Sequence, residues 1–142
     1  MAERVIDGEG RILGRVSSYA AKLLLNGDSV RIVNAEKIII SGHLRDIVAK
    51  YKQKAELKDK ANPEHSPYVS RRPDLFVKRV VRGMLPYRRP KGKEAYKRLR
   101  VYVGVPEGTP PFDTLELKKG EDVYEDIITV KALSEKLGYR GA

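Results

Sequence analysis

The side chains best suited to chemistry in this sequence are the lysines and arginines of its central segment. Residues 43–100 carry 18 Lys and Arg against 6 Asp and Glu, a net charge of +12, although the whole chain carries only +10. So much uncompensated positive charge repels itself, and the phosphates of a bound polyanion would offset that repulsion. The segment therefore predicts a binding surface for a polyanion rather than a solvated face of mixed charge.

The side-chain types in this segment favour RNA as the polyanion. A planar guanidinium grips a phosphate through two hydrogen bonds or stacks on a base. Tyr68, Tyr87 and Tyr96 lie among the cations, where they are either base-stacking groups or core side chains. A basic adaptor for acidic proteins is an alternative. The residues that we expect to contact RNA are Arg71, Arg72, Lys78, Arg79, Arg82, Arg88, Arg89, Lys91, Lys93, Lys97 and Arg98.

A second candidate site is the glycine-rich turn near the start of the chain. Gly8, Gly10 and Gly14 follow a predicted strand and precede a predicted helix, as in loops that cradle a dinucleotide pyrophosphate. Their spacing departs from the GxGxxG fingerprint, and Glu36 is only a loose candidate for ribose recognition. A turn glycine and a helix-packing glycine explain the pattern equally well. A nicotinamide-dependent oxidoreductase is therefore the rival hypothesis, and we expect no cofactor.

Catalytic and metal-binding patterns are missing from the sequence. His43 and His65 are the two histidines, and neither has the spacing of a metal site or of a catalytic base. The chain has no cysteine, and no nucleophile elbow surrounds its serines. We therefore expect no catalytic residue, no metal ion and no small-molecule substrate, and we predict that the protein is not an enzyme.

The elements that must position the basic segment begin with a strand, a helix and a second strand. Apolar residues at 13, 16, 20, 23 and 24 have helical spacing, and Asn26-Gly27 ends that helix before a strand at residues 30–33. Because the helix serves as a crossover, the two strands should be parallel, which favours an α/β fold. The run at residues 38–40 is ambiguous between a third strand and an extension of the second.

The rest of the chain alternates helices with basic and polar connections. We expect no core element in residues 87–100, which are mostly charged, and we expect a loop at residues 58–72. The other predicted elements are an amphipathic basic helix from Leu44, a helix over 73–85 stopped by Pro86, strands at 101–103 and 114–117, and a terminal helix over 129–137.

Length and composition indicate one cytoplasmic domain. The chain has 142 residues, which suits a single core. The absence of cysteine fits a reducing compartment, and residues 1–10 lack the apolar run of a signal peptide. The longest apolar run, residues 38–40, is far below the roughly 20 residues of a membrane span, so we expect a soluble protein with no membrane partner.

Several short motifs, taken in order, resemble the large-subunit ribosomal protein thirteen family. The resemblance covers about residues 4–106, and its most specific part is the RGMLP stretch at residues 82–86. The sequence around residues 65–68 and the C-terminal tail are similar to the archaeal and eukaryotic branch. The motifs are LGR at 13–15, VNAE at 33–36, ISG at 40–42, VRGMLP at 81–86, GK at 92–93 and LRVY at 99–102.

The resemblance implies a three-layer α/β/α fold around a four-stranded parallel sheet, Rossmann-like without a cofactor. We expect one domain over residues 1–142, with a basic central segment at 43–100. The C-terminal extension at 107–142 departs most from the short bacterial form of the family, and we expect its acidic surface to contact neighbouring ribosomal proteins. The resemblance also implies binding to large-subunit ribosomal RNA, with Arg82 and Lys93 among the contacts and close backbone approach at Gly83. The implied role is structural, in the ribosome and in subunit assembly.

Overall fold

A computed structural model of the chain describes residues 3–57, 61, 71–109 and 126–139. The described elements alternate between strands and helices, with one short 3-10 turn at Ala35–Lys37. In chain order they are β1 (Glu3–Asp7), α1 (Leu13–Leu25), β2 (Ser29–Val33), β3 (Ile39–Ser41), α2 (Leu44–Glu56), α3 (Pro73–Gly83), α4 (Pro90–Lys97), β4 (Leu99–Val101), β5 (Ile127–Thr129) and α5 (Val130–Lys136).

The central sheet contains three parallel strands in the order β1-β2-β4. Ile6 is opposite Ile32 on β2, and Val30 of β2 is opposite Leu99 of β4. Parallel neighbours need a crossover connection, and α1 supplies it between β1 and β2. The predicted parallel strand-helix-strand unit and the α/β class are confirmed.

A second, two-stranded sheet lies beside the first. In it β3 pairs antiparallel with β5, so that Ile40 is opposite Ile128, and Ile12 bridges Ile39 in parallel. Residues 38–40, ambiguous in the sequence, thus contain a strand, and its partner β5 was not predicted. The strand expected at 114–117 lies outside the described residues, as does nearly all of the loop expected at 58–72. A fourth parallel strand and a three-layer order remain predictions.

The core forms where α1 and α3 pack together and where α3 meets β4. Val16, Ala20 and Leu24 recur on one face of α1 and are fully buried, as are Val77 and Val81 of α3. This spacing places apolar side chains on a single helical stripe, which burial then stabilises. Pro73 begins α3 and Met84 caps its C-terminal end, so the predicted helix is confirmed with an end slightly earlier than expected.

The prediction that residues 87–100 contribute nothing to the core is wrong. Pro90 begins the helix α4, and Ala95 and the following Leu99 are fully buried. A charged helix can still bury one narrow stripe, because its cations project from the remaining faces. The stripe of α4 includes Gly92, where an added Cβ would lie 1.9 Å from the carbonyl oxygen of Pro86. The helix therefore packs directly on the backbone that connects it to α3.

The two remaining helices, α2 and α5, contact each other. Tyr51 of α2 meets Phe76 of α3 edge to face, with ring centroids 5.1 Å apart. The hydroxyl oxygen of Thr129 caps α5 by accepting a hydrogen bond of 3.1 Å from the Ala132 amide. Both predicted helices are confirmed. Among the described helices, none combines the length and the apolar character that crossing a membrane requires.

Candidate nucleic-acid interface

Four arginines surround one open groove at the connection between α3 and α4. They are Arg79 and Arg82 of α3 and Arg88 and Arg89 of the connection, and the groove has a volume of about 580 Å³. Its other lining residues are Gly83, Leu85, Pro86 and Tyr87. We call this site the arginine groove. Four of the predicted RNA contacts, two on α3 and two on the connection, thus lie around one groove.

The local backbone explains why the arginine groove forms. Pro86 cannot continue a helix, because it lacks an amide donor for the preceding turn. The turn after it is closed by a 3.0 Å hydrogen bond from the Arg89 amide to the Pro86 carbonyl oxygen. Pro90 then begins α4, and Gly92 allows α4 to approach the turn closely. Arg88 and Arg89 are therefore held at the tip of a short, rigid corner.

Two tyrosine rings make cation–π contacts beside the groove. The guanidinium carbon of Arg82 lies 4.1 Å from the ring centroid of Tyr87, and the ammonium nitrogen of Lys78 lies 5.0 Å from that of Tyr96. The two rings meet edge to face, with centroids 5.5 Å apart. Tyr87 thus presents one face to a cation, and both rings are half-buried. The third tyrosine expected to stack on bases, Tyr68, lies outside the described residues.

Among the described residues, no carboxylate compensates the charge of the arginine groove. No carboxylate is among its lining residues, and no described Asp or Glu lies within 4.0 Å of any of its four guanidinium groups. Like charges brought together without counter-ions raise the electrostatic energy of the folded protein. Binding an anion lowers that energy, so the groove is suited to phosphate groups, each of which a guanidinium can hold through paired hydrogen bonds.

The predicted contacts on α4 extend the positive surface. Lys91, Lys93 and Lys97 are exposed, whereas Gly92 and Ala95 face the protein. Lys93 and Lys97 are four residues apart and therefore share a helical face. Glu94 is the single acidic residue of α4. The helix thus presents three ammonium groups to solvent near the groove residues that precede it in the chain.

Three of the predicted contacts make interactions within the protein. Arg98 donates a 2.7 Å hydrogen bond to the Leu24 carbonyl oxygen, at the end of α1. Arg72 forms an ion pair of 2.9 Å with Asp74, and the guanidinium of Arg71 lies close to Gly138 after α5. These side chains stabilise local structure, and their contribution to RNA binding stays a prediction.

Two lysines that were not among the predicted RNA contacts also lie beside a tyrosine ring. Lys50 and Lys54 of α2 lie 6.0 and 5.2 Å from the ring centroid of Tyr51. Their spacing of four residues around an aromatic residue was visible in the sequence as one face of an amphipathic basic helix. Burial raises the pKa of the Tyr51 hydroxyl above its ordinary value.

The glycine-rich turn near the N-terminus has the wrong charges for a pyrophosphate. Asp7 and Glu9 line a cavity of about 480 Å³ there, and Glu9 lies 3.8 Å from Lys37. Glu36, the loose ribose candidate, instead accepts a 3.0 Å hydrogen bond from the Gly104 amide. Arg11 and Lys37 also line this cavity and balance its two carboxylates, so it has no net positive charge to attract a pyrophosphate, and Glu36 is already engaged. These residues do not fit the cofactor of the rival oxidoreductase hypothesis.

The glycines of this turn have separate structural roles. Gly10 adopts a φ of 72°, which favours glycine, and it turns the chain between β1 and α1. At Gly8 an added Cβ would lie 2.5 Å from the Ile38 side chain, so this glycine allows close packing. Gly14 on α1 faces open space. One glycine needed for the turn, Gly10, and one needed for packing, Gly8, therefore account for the pattern. The packing glycine lies before α1 rather than on it.

The histidine that the structure describes is exposed. His43 lies with Nε2 3.3 Å from a carboxylate oxygen of Asp126, and His65 lies outside the described residues. Within the described ranges, no group of three or more His, Cys, Asp or Glu residues is arranged to hold a metal ion. This exposed pair has neither the burial nor the nucleophilic neighbour that a catalytic base requires.

Comparison with known proteins gives concordant matches. The family model described as ribosomal protein L13 matches residues 2–108. The large ribosomal subunit protein uL13 of Archaeoglobus fulgidus is 42% identical over 144 residues, covering 96% of this chain and 88% of that protein. The uL13 of Methanocaldococcus jannaschii is 44% identical and covers 94% of this chain and 96% of its own length. That of Methanococcoides burtonii is 49% identical, with 72% and 71% covered.

Proposed function

The chain belongs to the ribosomal protein L13 family, and from that premise we propose that it is a structural, non-enzymatic component of the large ribosomal subunit that binds ribosomal RNA. The residues with which it binds lie in the basic central segment, 43–100. Its relatives named above are archaeal, in agreement with the branch that the sequence around residues 65–68 and the tail resemble.

The observation that carries this proposal is the arginine groove. Four guanidinium groups converge on it from two elements, and no described carboxylate neutralises them. A fold that retains so much concentrated positive charge without internal partners is suited to a ligand that supplies many phosphates. Folded RNA is such a ligand, and guanidinium groups recognise both its phosphates and its exposed bases.

The predicted contacts divide into a primary and a supporting set. The primary set has no hydrogen bond or ion pair to described protein groups and consists of Lys78, Arg79, Arg82, Arg88, Arg89, Lys91, Lys93 and Lys97. The supporting set, Arg71, Arg72 and Arg98, already contacts the protein and therefore contributes less to RNA binding. Recognition depends mainly on RNA shape and phosphate position, because duplex RNA hides its base edges in a deep major groove.

We further propose a domain organisation and a location for the protein. Residues 1–142 form one domain of three layers, α/β/α, with a fourth parallel strand completing the sheet. The extension at 107–142, with 8 acidic residues against 5 basic residues from 101 onward, contacts neighbouring ribosomal proteins. The protein resides in the cytoplasmic large subunit and supports its assembly.

The first test is sucrose-gradient fractionation of a lysate of the source cells, with the protein detected across the gradient before and after a high-salt wash. Stable presence in the large-subunit fraction supports the proposal. Presence in the soluble fractions alone would overturn it. Nuclease treatment distinguishes a ribosomal protein from a basic adaptor for acidic proteins. An association with acidic proteins survives digestion of RNA, whereas a ribosomal association does not.

Binding to RNA is tested separately with purified protein and large-subunit ribosomal RNA in a filter-binding titration at several salt concentrations. Each phosphate contact releases counter-ions, so the logarithm of the association constant should fall linearly with the logarithm of salt concentration, by roughly 0.7 to 0.9 per contact. Affinity that does not depend on salt would contradict an interface made of arginines and lysines.

A further inference from the structure

The arginine groove differs from a surface that only tracks a phosphate backbone, because part of its wall is apolar. Leu85 is only 6% exposed and lies at its base, and Pro86 and the Tyr87 ring complete that wall. The groove is open to solvent and has a volume of about 580 Å³. A continuous duplex presents phosphates and sugars to a surface, and these groups gain little from a concave apolar wall.

Arg82 is the group in the groove best prepared to contact a base. Its guanidinium lies over the Tyr87 ring at 4.1 Å, and Tyr87 is supported in turn by Tyr96. A planar group that is held on one face loses little further freedom when a base stacks on its opposite face. Arg79, Arg88 and Arg89 stand around it as phosphate-binding groups.

Gly83 lines the groove and has no side chain to fill it. This residue is exposed, and an added Cβ there would meet no atom within 4 Å. A ligand in the groove can therefore come close to the backbone at Gly83. A larger side chain at this position would occupy part of the groove without changing the charge of the protein.

We infer that the arginine groove takes a single unstacked nucleotide of RNA, with its base stacked on the free face of Arg82 and its phosphates held by the surrounding arginines. The inference rests on the proposed function and specifies it further. The ligand class is an unpaired nucleotide, such as a bulge or a loop residue, because only an unstacked base exposes a face that can enter a groove.

The test uses the full-length protein and two synthetic RNA hairpins of the same stem, one with a single bulged 2-aminopurine nucleotide and one fully paired. At equal salt, the protein should bind the bulged hairpin about ten-fold more tightly, which is the gain expected from stacking one base. The fluorescence of 2-aminopurine should change on binding, because it responds to stacking. Equal affinity for the two hairpins, or unchanged fluorescence, would overturn the inference.

Two variants test whether the preference for the bulged hairpin arises in the arginine groove. Gly83→Phe places a large side chain in the groove and should abolish the preference for the bulged hairpin, so that the two hairpins bind with equal affinity. Gly14→Phe is its matched control, because Gly14 also lies exposed on a helix with no atom near an added Cβ, and it does not line the groove. This control should behave like the wild-type protein. A preference that survives Gly83→Phe would place the nucleotide elsewhere.

Arg82→Lys keeps the charge but removes the planar face, so it should also lose the preference for the bulged hairpin. This variant keeps the inference testable if Gly83→Phe does not fold, which circular dichroism of each variant establishes. Failure of the inference is distinguishable from failure of the proposed function: in the first case the wild-type protein binds both hairpins equally and with a salt dependence, and in the second it binds neither hairpin nor ribosomal RNA.

Discussion

Arg98 joins the end of α1 to the start of β4, because its Nη2 donates a 2.7 Å hydrogen bond to the carbonyl oxygen of Leu24. Its Nε donates a longer hydrogen bond, 3.4 Å, to the carbonyl oxygen of Asp28. The last carbonyl groups of a helix lack partners within the helix and form the negative end of its dipole, so a guanidinium is well placed there. A residue that looked in the sequence like one more RNA-binding cation therefore also stabilises the fold.

Substitution of Arg98 should affect stability more than binding. We expect Arg98→Ala to lower the free energy of unfolding by about 1 to 3 kcal/mol, because it removes a charged hydrogen bond to a half-buried carbonyl group. Urea unfolding monitored by circular dichroism measures this change. Lys97→Ala is the neighbouring control, and it should leave the unfolding midpoint unchanged because Lys97 is exposed. Similar stability for both variants would contradict the role assigned to Arg98.

The close contact at Gly92 predicts that alanine substitutions at Gly92 and at Gly83 affect stability very differently. Gly92→Ala should destabilise the protein by about 1 to 3 kcal/mol, as overpacking usually does, because the added Cβ would lie 1.9 Å from the Pro86 carbonyl oxygen. Gly83→Ala should leave stability unchanged or raise it by up to about 1 kcal/mol, because alanine favours a helix and has free space there. Thermal unfolding of both variants tests this, and equal midpoints would exclude the close packing described here.

Arg82→Ala should weaken RNA binding without unfolding the protein. We expect an affinity about ten-fold lower at fixed salt and a salt slope that is smaller in magnitude by about 1, because the interface loses one cation and fewer counter-ions are released on binding. Filter binding to large-subunit ribosomal RNA measures both quantities. Lys131→Ala, an exposed cation of α5 outside the basic segment, is the control and should bind normally. Unchanged affinity of Arg82→Ala, or a collapse of its melting temperature, would count against the placement of Arg82 in the interface.

The partly buried Tyr51 predicts a loss of stability at high pH. Burial raises the pKa of its hydroxyl, so the unfolded chain, with a pKa near about 10, loses this proton before the folded protein does. The stabilising contribution is therefore fully present below about pH 10 and is lost as the pH rises through the folded-state pKa. Urea unfolding between about pH 8 and 11 should show stability falling faster in the wild type than in Tyr51→Phe. A difference between the two proteins that does not change with pH would refute this assignment.

The elements with a strong local pattern could be predicted from the sequence. Helices α1 and α3 have apolar residues at helical spacing and clear end signals, and β1 and β2 follow from the crossover between them. The strand β5 could not be predicted, because residues 127–129 form a strand only through pairing with β3, which is about ninety residues earlier in the chain. The helix α4 was obscured by its charges, because its buried stripe contains only small residues, Gly92 and Ala95.

The chemistry of the candidate site could be predicted, but its geometry could not. The charge count located the basic segment, and the RGMLP motif located its centre at residues 82–86. No sequence pattern shows that Arg98 is engaged by Leu24, or that Tyr87 holds Arg82 instead of standing free. These relationships depend on how α4 packs against α1 and against the turn that precedes it, and Gly92 allows that packing because its partner is a backbone carbonyl group.

The order of the strands has a consequence for how the protein is made. The middle strand β2 has β1 on one side, from the start of the chain, and β4 on the other, from residues 99–101. During translation one edge of β2 therefore stays unpaired until the entire basic segment has been synthesised, and unpaired strand edges favour aggregation. The nascent chain is most vulnerable in that interval, when its positive charge is already exposed and its sheet is incomplete.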